Sequence, residues 1–346
     1  MRWLLPILLV ACGPKTLTPT PDGPEETPDG PSPDSPPAAA CDYTELRDST
    51  NDDVPPASGT PEDTGATFDQ KLVVCGSFAA DHFDGDITVD VDGYKFTVAT
   101  TTDLLVRLAG AGAEAIEFVG MDIYGGAAFD ELAGTVTFYG DHGVAQVRLP
   151  PGTYELAAFA LAGAAIAAPV DYRITITADD PVTRCPSAVS GASYAEANDG
   201  AASTGNDMVT IPSGSPPALT AGADDPEPTG FTVTASSQDR LGGLLKDVTV
   251  ADQYEDKDTY LITVGDANEL AIKLDWNANA NLDYLLFEAN TAEPVLRAIS
   301  AATTSPEYQT FSVKPSTAYW VLVGAKVGSA LPVAYSASVC GASFAP

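Results

Sequence analysis

Asp92-Gly93-Tyr94-Lys95-Phe96-Thr97-Val98 alternates large apolar side chains with polar ones. Successive side chains on an extended chain point to opposite sides, so Tyr94, Phe96 and Val98 share one face and the stretch predicts a half-buried β-strand. Asp258-Thr259-Tyr260-Leu261-Ile262-Thr263-Val264 repeats its Asp-x-Tyr opening and its apolar spacing.

Outward from this pair of strands, further matches keep their order and spacing. Tyr43-x-Glu45-x-x-Asp48 returns as Tyr194-x-Glu196-x-x-Asp199, and Pro61-Glu62-x-Thr64-Gly65 as Pro226-Glu227-x-Thr229-Gly230. The apolar runs Leu104 to Leu108 and Leu270 to Leu274 each begin 12 residues beyond their aspartate. Pro151-Gly152-Thr153-Tyr154 returns as Pro315-Ser316-Thr317-Ala318-Tyr319, with Ser316 in place of the glycine, and Tyr172 returns as Tyr335. Each match is weak alone, but together they imply a tandem duplication with its boundary near Asp180 to Pro186. Tyr172, Ile174 and Ile176 alternate in the same way, and Tyr284 to Phe287 and Tyr319 to Val323 also read as strands. Helical potential is confined to Leu161 to Ala168 and Thr291 to Thr303, neither of which is capped.

Each half resembles the bacterial pre-peptidase C-terminal domain family. The residues that carry the resemblance are Asp92, Tyr94 and Phe96, the Leu104 to Leu108 strand, Met121-Asp122-Ile123-Tyr124, the Gly152-Thr153-Tyr154 turn and Tyr172. In the second half they are Asp258, Tyr260, Leu270, Asp283 and Tyr319. The resemblance implies a jelly-roll-like sandwich and an accessory, non-catalytic module. The expected fold is therefore all-β: two tandem jelly-roll-like antiparallel β-sandwich domains after a disordered tether, at residues 41–183 and 184–346.

The chain begins with Arg2, an apolar run and Leu9-Val10-Ala11-Cys12, which resembles the bacterial lipobox. That resemblance implies that residues 1–12 are a lipoprotein signal ending at Cys12, the residue that would carry the lipid. The run is far short of the roughly 20 residues of a spanning helix. Gly13 rather than an aspartate follows the cysteine, which points to the outer membrane. Residues 13–40 are rich in proline, with almost no large apolar side chains, and read as a disordered tether. In polyproline conformation, at about 3.1 Å per residue, it would reach at most roughly 85 Å from the anchor.

The 346 residues carry 48 acidic against 16 basic side chains, a formal charge of −32. Such a surface repels phosphate backbones, so nucleic acid is excluded as an expected partner. Neither a His-Glu-x-x-His pair nor a Gly-x-Ser-x-Gly elbow, P-loop or dinucleotide fingerprint occurs. The two histidines, His82 and His142, stand beside Asp81 and Asp141 and read as solvated loop residues. The expectation is a protein that is not an enzyme.

Calcium is the one cofactor for which ligand candidates stand out, because it takes six to eight oxygen ligands and clustered loop carboxylates supply several. The first set is Asp84, Asp86, Asp90 and Asp92; the second is Asp275, Asn277, Asn279 and Asp283. Neither set has the EF-hand spacing.

With Cys12 set aside, four cysteines remain: Cys41, Cys75, Cys185 and Cys340. They allow three pairings. Cys185 opens the second repeat as Cys41 opens the first, and Cys340 lies in the closing strand, so the expected bridges are Cys185 with Cys340 and Cys41 with Cys75. The functional expectation is a non-catalytic, membrane-anchored surface or periplasmic lipoprotein, held through lipid on Cys12, whose modules bind a protein or glycan partner or serve a structural role. The alternatives are a calcium-binding adhesion-type module and an accessory component of a secreted hydrolase system.

Overall fold

The computed structural model describes residues 40–46, 61–78, 88–110, 119–125, 130–137, 142–161, 169–187, 191–196, 226–246, 254–277, 279–289, 294–300 and 304–345. Cys12 and the proline-rich segment 13–39 lie outside the described residues. Ten strands belong to the first half: β1 (Tyr43–Thr44), β2 (Glu62–Phe68), β3 (Lys71–Phe78), β4 (Thr88–Val98), β5 (Thr102–Gly110), β6 (Val119–Gly125), β7 (Asp130–Thr137), β8 (His142–Leu149), β9 (Gly152–Leu161) and β10 (Val170–Ala178). A single helical turn, α1 (Pro181–Arg184), connects them to the second half. There the strands are β11 (Ser193–Ala195), β12 (Glu227–Val233), β13 (Gln238–Leu245), β14 (Tyr254–Val264), β15 (Glu269–Trp276), β16 (Leu282–Glu288), β17 (Val295–Ser300), β18 (Glu307–Ser312), β19 (Ala318–Lys326) and β20 (Val333–Ala342).

The strands pair into four five-stranded sheets. Those of the first half run β1-β3-β10-β5-β8 and β2-β4-β9-β6-β7. Those of the second run β11-β13-β20-β15-β18 and β12-β14-β19-β16-β17, the same order with every label raised by ten. The duplication read from short motifs thus extends to the strand order of all four sheets.

The expectation of two tandem, antiparallel jelly-roll-like sandwiches is corrected here. Among the described residues the chain is all-β, 70 % strand and 2 % helix, but its sheets wind as a β-solenoid of about four turns. The sheets are also not purely antiparallel. Each takes in a parallel partner at its start: β1 on β3, β2 on β4, β11 on β13 and β12 on β14. Parallel neighbours need a crossover between them rather than a tight hairpin, and here the chain crosses to the other sheet and returns. Short-range motifs carry no record of such a crossover. Residues Cys41–Pro346 form one compact unit.

Period-two alternation builds the cores. Tyr94, Phe96 and Val98 from β4 meet Leu104, Val106 and Leu108 from β5, with Tyr172, Ile174 and Ile176 from β10. Tyr260, Ile262 and Val264 occupy the matching places with Leu270, Ile272 and Leu274. Each fully buried aliphatic or aromatic side chain contributes about 1.5–3 kcal/mol. Thr291 to Thr303, read from sequence as potentially helical, instead contains β17, paired antiparallel with β16.

The Pro-Glu-x-Thr-Gly motif has a local reason. In both halves it forms a bulge where the parallel register slips, with Gly65 at φ +64° and Gly230 at φ +74°. A side chain is disfavoured in that left-handed region. Thr64 Oγ1 donates to the Lys95 carbonyl at 2.6 Å, and Thr229 Oγ1 to the Leu261 carbonyl at 2.8 Å, tying the bulge to the next strand.

Candidate functional site

The aspartates of the two Asp-x-Tyr strands lie inside the cores. Asp92 is 1 % exposed and accepts the Tyr172 hydroxyl at 2.6 Å, while the Tyr94 and Tyr172 hydroxyls stand 2.6 Å apart. Asp258 accepts the Tyr335 hydroxyl at 2.6 Å, and Tyr260 stands 2.5 Å from Tyr335. Burial raises the pKa of all four phenols, and the neighbouring carboxylates add to it, so they stay protonated donors. A glycine faces each cluster. A Cβ on Gly76 would lie 2.3 Å from the Tyr172 hydroxyl, and one on Gly243 2.5 Å from that of Tyr335. Tyr43 donates to Glu62 at 2.8 Å, and Tyr194 makes the equivalent bond to Glu227. The repeated polar residues are thus partners of one another.

Of the candidate calcium ligands, Asp92, Asp275 and Asp283 have protein partners. Asp84 and Asp86 lie outside the described residues. Asp90 and Asp92 are buried in β4, with Asp92 held by Tyr172. In the second set, Asp275 accepts the Ser187 hydroxyl at 3.2 Å and Asn277 and Asn279 are exposed. Asp283 is buried, bonded to the Tyr254 hydroxyl at 3.0 Å and paired with the Lys326 ammonium at 2.9 Å. Among the described residues, no three His, Cys, Asp or Glu side chains converge on a point where they could hold a metal. The disulfides are Cys41–Cys75 and Cys185–Cys340.

Among the described residues, a dense charge cluster lies where the halves meet. Glu269, at the start of β15, is 1 % exposed. Arg107 of β5 binds both its oxygens, through Nε to Oε1 and through Nη2 to Oε2 at 2.9 Å. Arg184 of α1 donates Nη1 to Oε2 at 3.2 Å, and His142 Nε2 lies 3.3 Å from Oε1. Arg184 also donates Nε to Asp179 at 2.9 Å. The Phe344 ring covers the cluster, 4.8 Å from the Arg107 guanidinium and 4.9 Å from the His142 ring. Asn268 fixes Phe344 by bonding both its backbone groups, at 2.8 and 2.7 Å. The reading of His142 as a solvated loop residue is therefore corrected: it opens β8, is 2 % exposed and faces Glu269. His82 lies outside the described residues.

Burial alone would raise the pKa of Glu269, but the hydrogen bonds from Arg107 and His142 outweigh it and hold the carboxyl at about 2. A proton-transfer group works best with a pKa near the working pH, so Glu269 is a fixed anion rather than a general base. Asp179 moves the other way, raised by burial against the pull of Arg184. Glu155, buried in β9, is raised to about 7, chiefly by desolvation, which the charge of Lys95 offsets only in part.

Beside this cluster, where the 178–184 connector passes the β12–β13 turn and the end of β20, lies a cavity of about 500 Å³. Asp180, Thr183, Arg184, Ser236, Gln238 and Gly341 are among its lining residues.

No protein-family model matches the chain, and no curated protein matches it. Solved structures do. The pre-peptidase C-terminal domain of collagenase from Bacillus anthracis is 16 % identical, over 34 % of this chain and 97 % of that one, with a TM-score of 0.25. The CUB1-EGF-CUB2 fragment of human MASP-1/3 is 9 % identical, over 78 % of this chain and 99 % of that one, with a TM-score of 0.18. The M60 catalytic domain with the CBM51-1 and CBM51-2 domains of Clostridium perfringens ZmpB is 10 % identical, over 77 % of this chain and 36 % of that one, with a TM-score of 0.20. Overlaps this loose carry no functional argument.

Sequence reasoning missed Arg107, His142, Glu269 and Phe344 as a group. Glu269 had one available signal: a carboxylate directly before the apolar run Leu270 to Leu274 sits at the edge of a core. Nothing in the sequence names its partner.

Proposed function

We propose that this chain is an extracytoplasmic, non-catalytic module, anchored through lipid on Cys12 and held off the membrane by residues 13–40. Its two halves act as one rigid unit that binds a protein or glycan partner or serves as a structural layer. The observation that carries the reading is the saturation of Glu269 by Arg107, Arg184 and His142. The most concentrated set of ionisable groups among the described residues is spent on joining the halves, and its carboxylate is held far from a catalytic pKa. The two disulfides fit an oxidising, extracytoplasmic compartment.

The anchor is tested by metabolic labelling with palmitate in a bacterial host, followed by membrane fractionation. Wild-type chain takes up label and sediments with outer membranes, whereas Cys12→Ser does neither. An unlabelled wild-type chain sinks the lipoprotein reading. The binding reading is tested by retention of the chain on cell-surface glycans and envelope proteins. Catalytic turnover of any retained material would overturn the non-catalytic assignment.

A further inference from the structure

The two disulfides differ in their access to solvent. Cys185 is 0 % and Cys340 2 % exposed, and they pack against Ala271 and Tyr308. Cys41 is exposed, and Cys75 on β3 is half-buried. Thiol–disulfide exchange requires a thiolate to reach one of the two sulfurs, so access divides the pair: one bridge is sealed and the other is open to a reductant.

The open bridge fastens a single element. β1 is two residues long and lies parallel to β3, with Tyr43 beside Val74 and Thr44 beside Cys75. Its flanks are tied to β3 by four hydrogen bonds. The Asp42 amide donates to the Val73 carbonyl at 2.8 Å and the Val73 amide to the Asp42 carboxylate at 2.8 Å. The Glu45 amide donates to the Cys75 carbonyl at 2.9 Å and the Ser77 amide to the Glu45 carboxylate at 2.7 Å. A two-residue strand at a sheet edge with few buried contacts is the kind of element that opens locally, so the covalent link carries much of the attachment.

The second half repeats the strand without the clip. β11 lies parallel to β13 with Ala195 beside Gly242, the place that Cys75 fills beside Thr44 in the first half. Glycine offers no thiol there, and Cys185 bonds instead to Cys340 of β20. The clip is therefore specific to the point where the chain enters the first half.

Exchange at this bridge has a direction. A dithiol reductant attacks Sγ of the exposed Cys41, the Cys41–Cys75 bond breaks, and Cys75 departs as a thiolate that takes up a proton. Arg173 of β10 stands directly opposite Cys75 in the antiparallel register, and a positive charge on that face of the sheet stabilises the departing thiolate. The second thiol of the reductant then displaces Cys41 from the mixed disulfide. The reductant ends as a disulfide and the protein gains two thiols.

We propose that Cys41–Cys75 is an exchange site for a dithiol reductant, and that opening it unfastens β1 from β3 while Cys185–Cys340 stays closed. The proposal adds a redox-controlled attachment to the anchor reading above, and its chemistry does not require lipid on Cys12.

The test uses the full chain carrying Cys12→Ser, which leaves only the two bridges and makes the outcome independent of the anchor reading. Oxidised protein is held in dithiothreitol under native conditions, sampled over time, alkylated and mapped by mass spectrometry. Cys41 and Cys75 should be alkylated at least about tenfold sooner than Cys185 and Cys340. The Val73 and Ser77 amides, held by Asp42 and Glu45, should exchange hydrogen about tenfold faster once the clip is open, with the amides of β20 unchanged. The double variant Cys41→Ser, Cys75→Ser should show the fast exchange without reductant. Opening of Cys185–Cys340 first or at the same rate overturns the exchange site. Unchanged protection of Val73 and Ser77 after Cys41–Cys75 has opened overturns its role in fastening β1.

Discussion

Arg107 and Glu269 are 162 residues apart in sequence and form a two-pronged ion pair in the interior. Arg107 belongs to β5 of the first half and Glu269 to β15 of the second, so the pair exists only when the halves are docked. Arg184 adds a third contact from the connector, and Gln146 of β8 accepts the Thr310 backbone amide of β18 at 3.1 Å beside it. The docking face is polar and specific, and this geometry makes one working unit of a duplicated chain.

Removing one partner should be costly. Arg107→Ala leaves a buried carboxylate with fewer donors, and breaking a buried pair typically costs about 3–5 kcal/mol. Denaturant unfolding reads the loss, and calorimetry should split one transition into two as the halves melt separately. The double variant Arg107→Met with Glu269→Leu should recover most of the stability, since it leaves no uncompensated charge. A loss below about 1 kcal/mol for Arg107→Ala would show that the pair is solvated, as surface pairs are.

The pH dependence has two limbs of opposite sign. Glu269 falls from an ordinary 4.5 to about 2 in the folded state, so its stabilisation is complete above 4.5 and is lost as pH falls toward 2. Glu155 rises from 4.5 to about 7, so its contribution is complete below 4.5 and is lost as pH rises through 7. Melting temperature against pH should therefore fall on both sides of pH 4.5, if these two groups dominate. Glu269→Gln should flatten the acid limb and Glu155→Gln the other. Parallel curves for Glu155→Gln and wild type between pH 4.5 and 7 would refute the role given to Glu155.

The twin tyrosine clusters should respond alike. Tyr172→Phe removes the donor to Asp92, and Tyr335→Phe the donor to Asp258. Each leaves a buried carboxylate oxygen short of a hydrogen bond, at a cost of about 1–3 kcal/mol. The clusters lie in different cores, so the double variant should show near-additive losses. Strong coupling between the two would mean that the cores do not unfold independently of each other's packing.

The Cys185–Cys340 bridge closes a span of 155 residues, for which the chain-entropy model gives about 5 kcal/mol; the 34-residue Cys41–Cys75 span gives about 4 kcal/mol. Unfolding with and without reductant, in wild type and in the Cys185→Ser, Cys340→Ser double variant, measures the first contribution. An unchanged denaturation midpoint would show that the docked halves already hold the closing strand in place.

Much of the fold was legible because its signals are local. Tyr94, Phe96 and Val98 announce a strand by alternation, and Pro61-Glu62-x-Thr64-Gly65 announces its twin because a left-handed bulge residue and a bridging threonine are both required there. The parallel entry of β2 beside β4 was not legible, since it depends on a crossover to another sheet. The surroundings of the aspartates were not legible either. Asp92 and Asp283 stand in polar-looking stretches that read as calcium loops, yet both side chains are buried and held by tyrosines. Their partners, Tyr172 and Tyr254, come from distant strands, and a carboxylate's surroundings cannot be read from its flanking residues.

The amino-acid sequence by itself determined the strand-rich class, the duplication and the apolar faces, because periodicity and repeat spacing are properties of contiguous residues. Tertiary structure alone decided which charges meet. Glu269 could have been a solvated surface carboxylate and His142 a loop residue. Docking removes both from water, and a desolvated carboxylate is stable only where donors converge on it, here Arg107, Arg184 and His142. That convergence joins residues 107, 142, 184 and 269, and no local pattern in the chain encodes it.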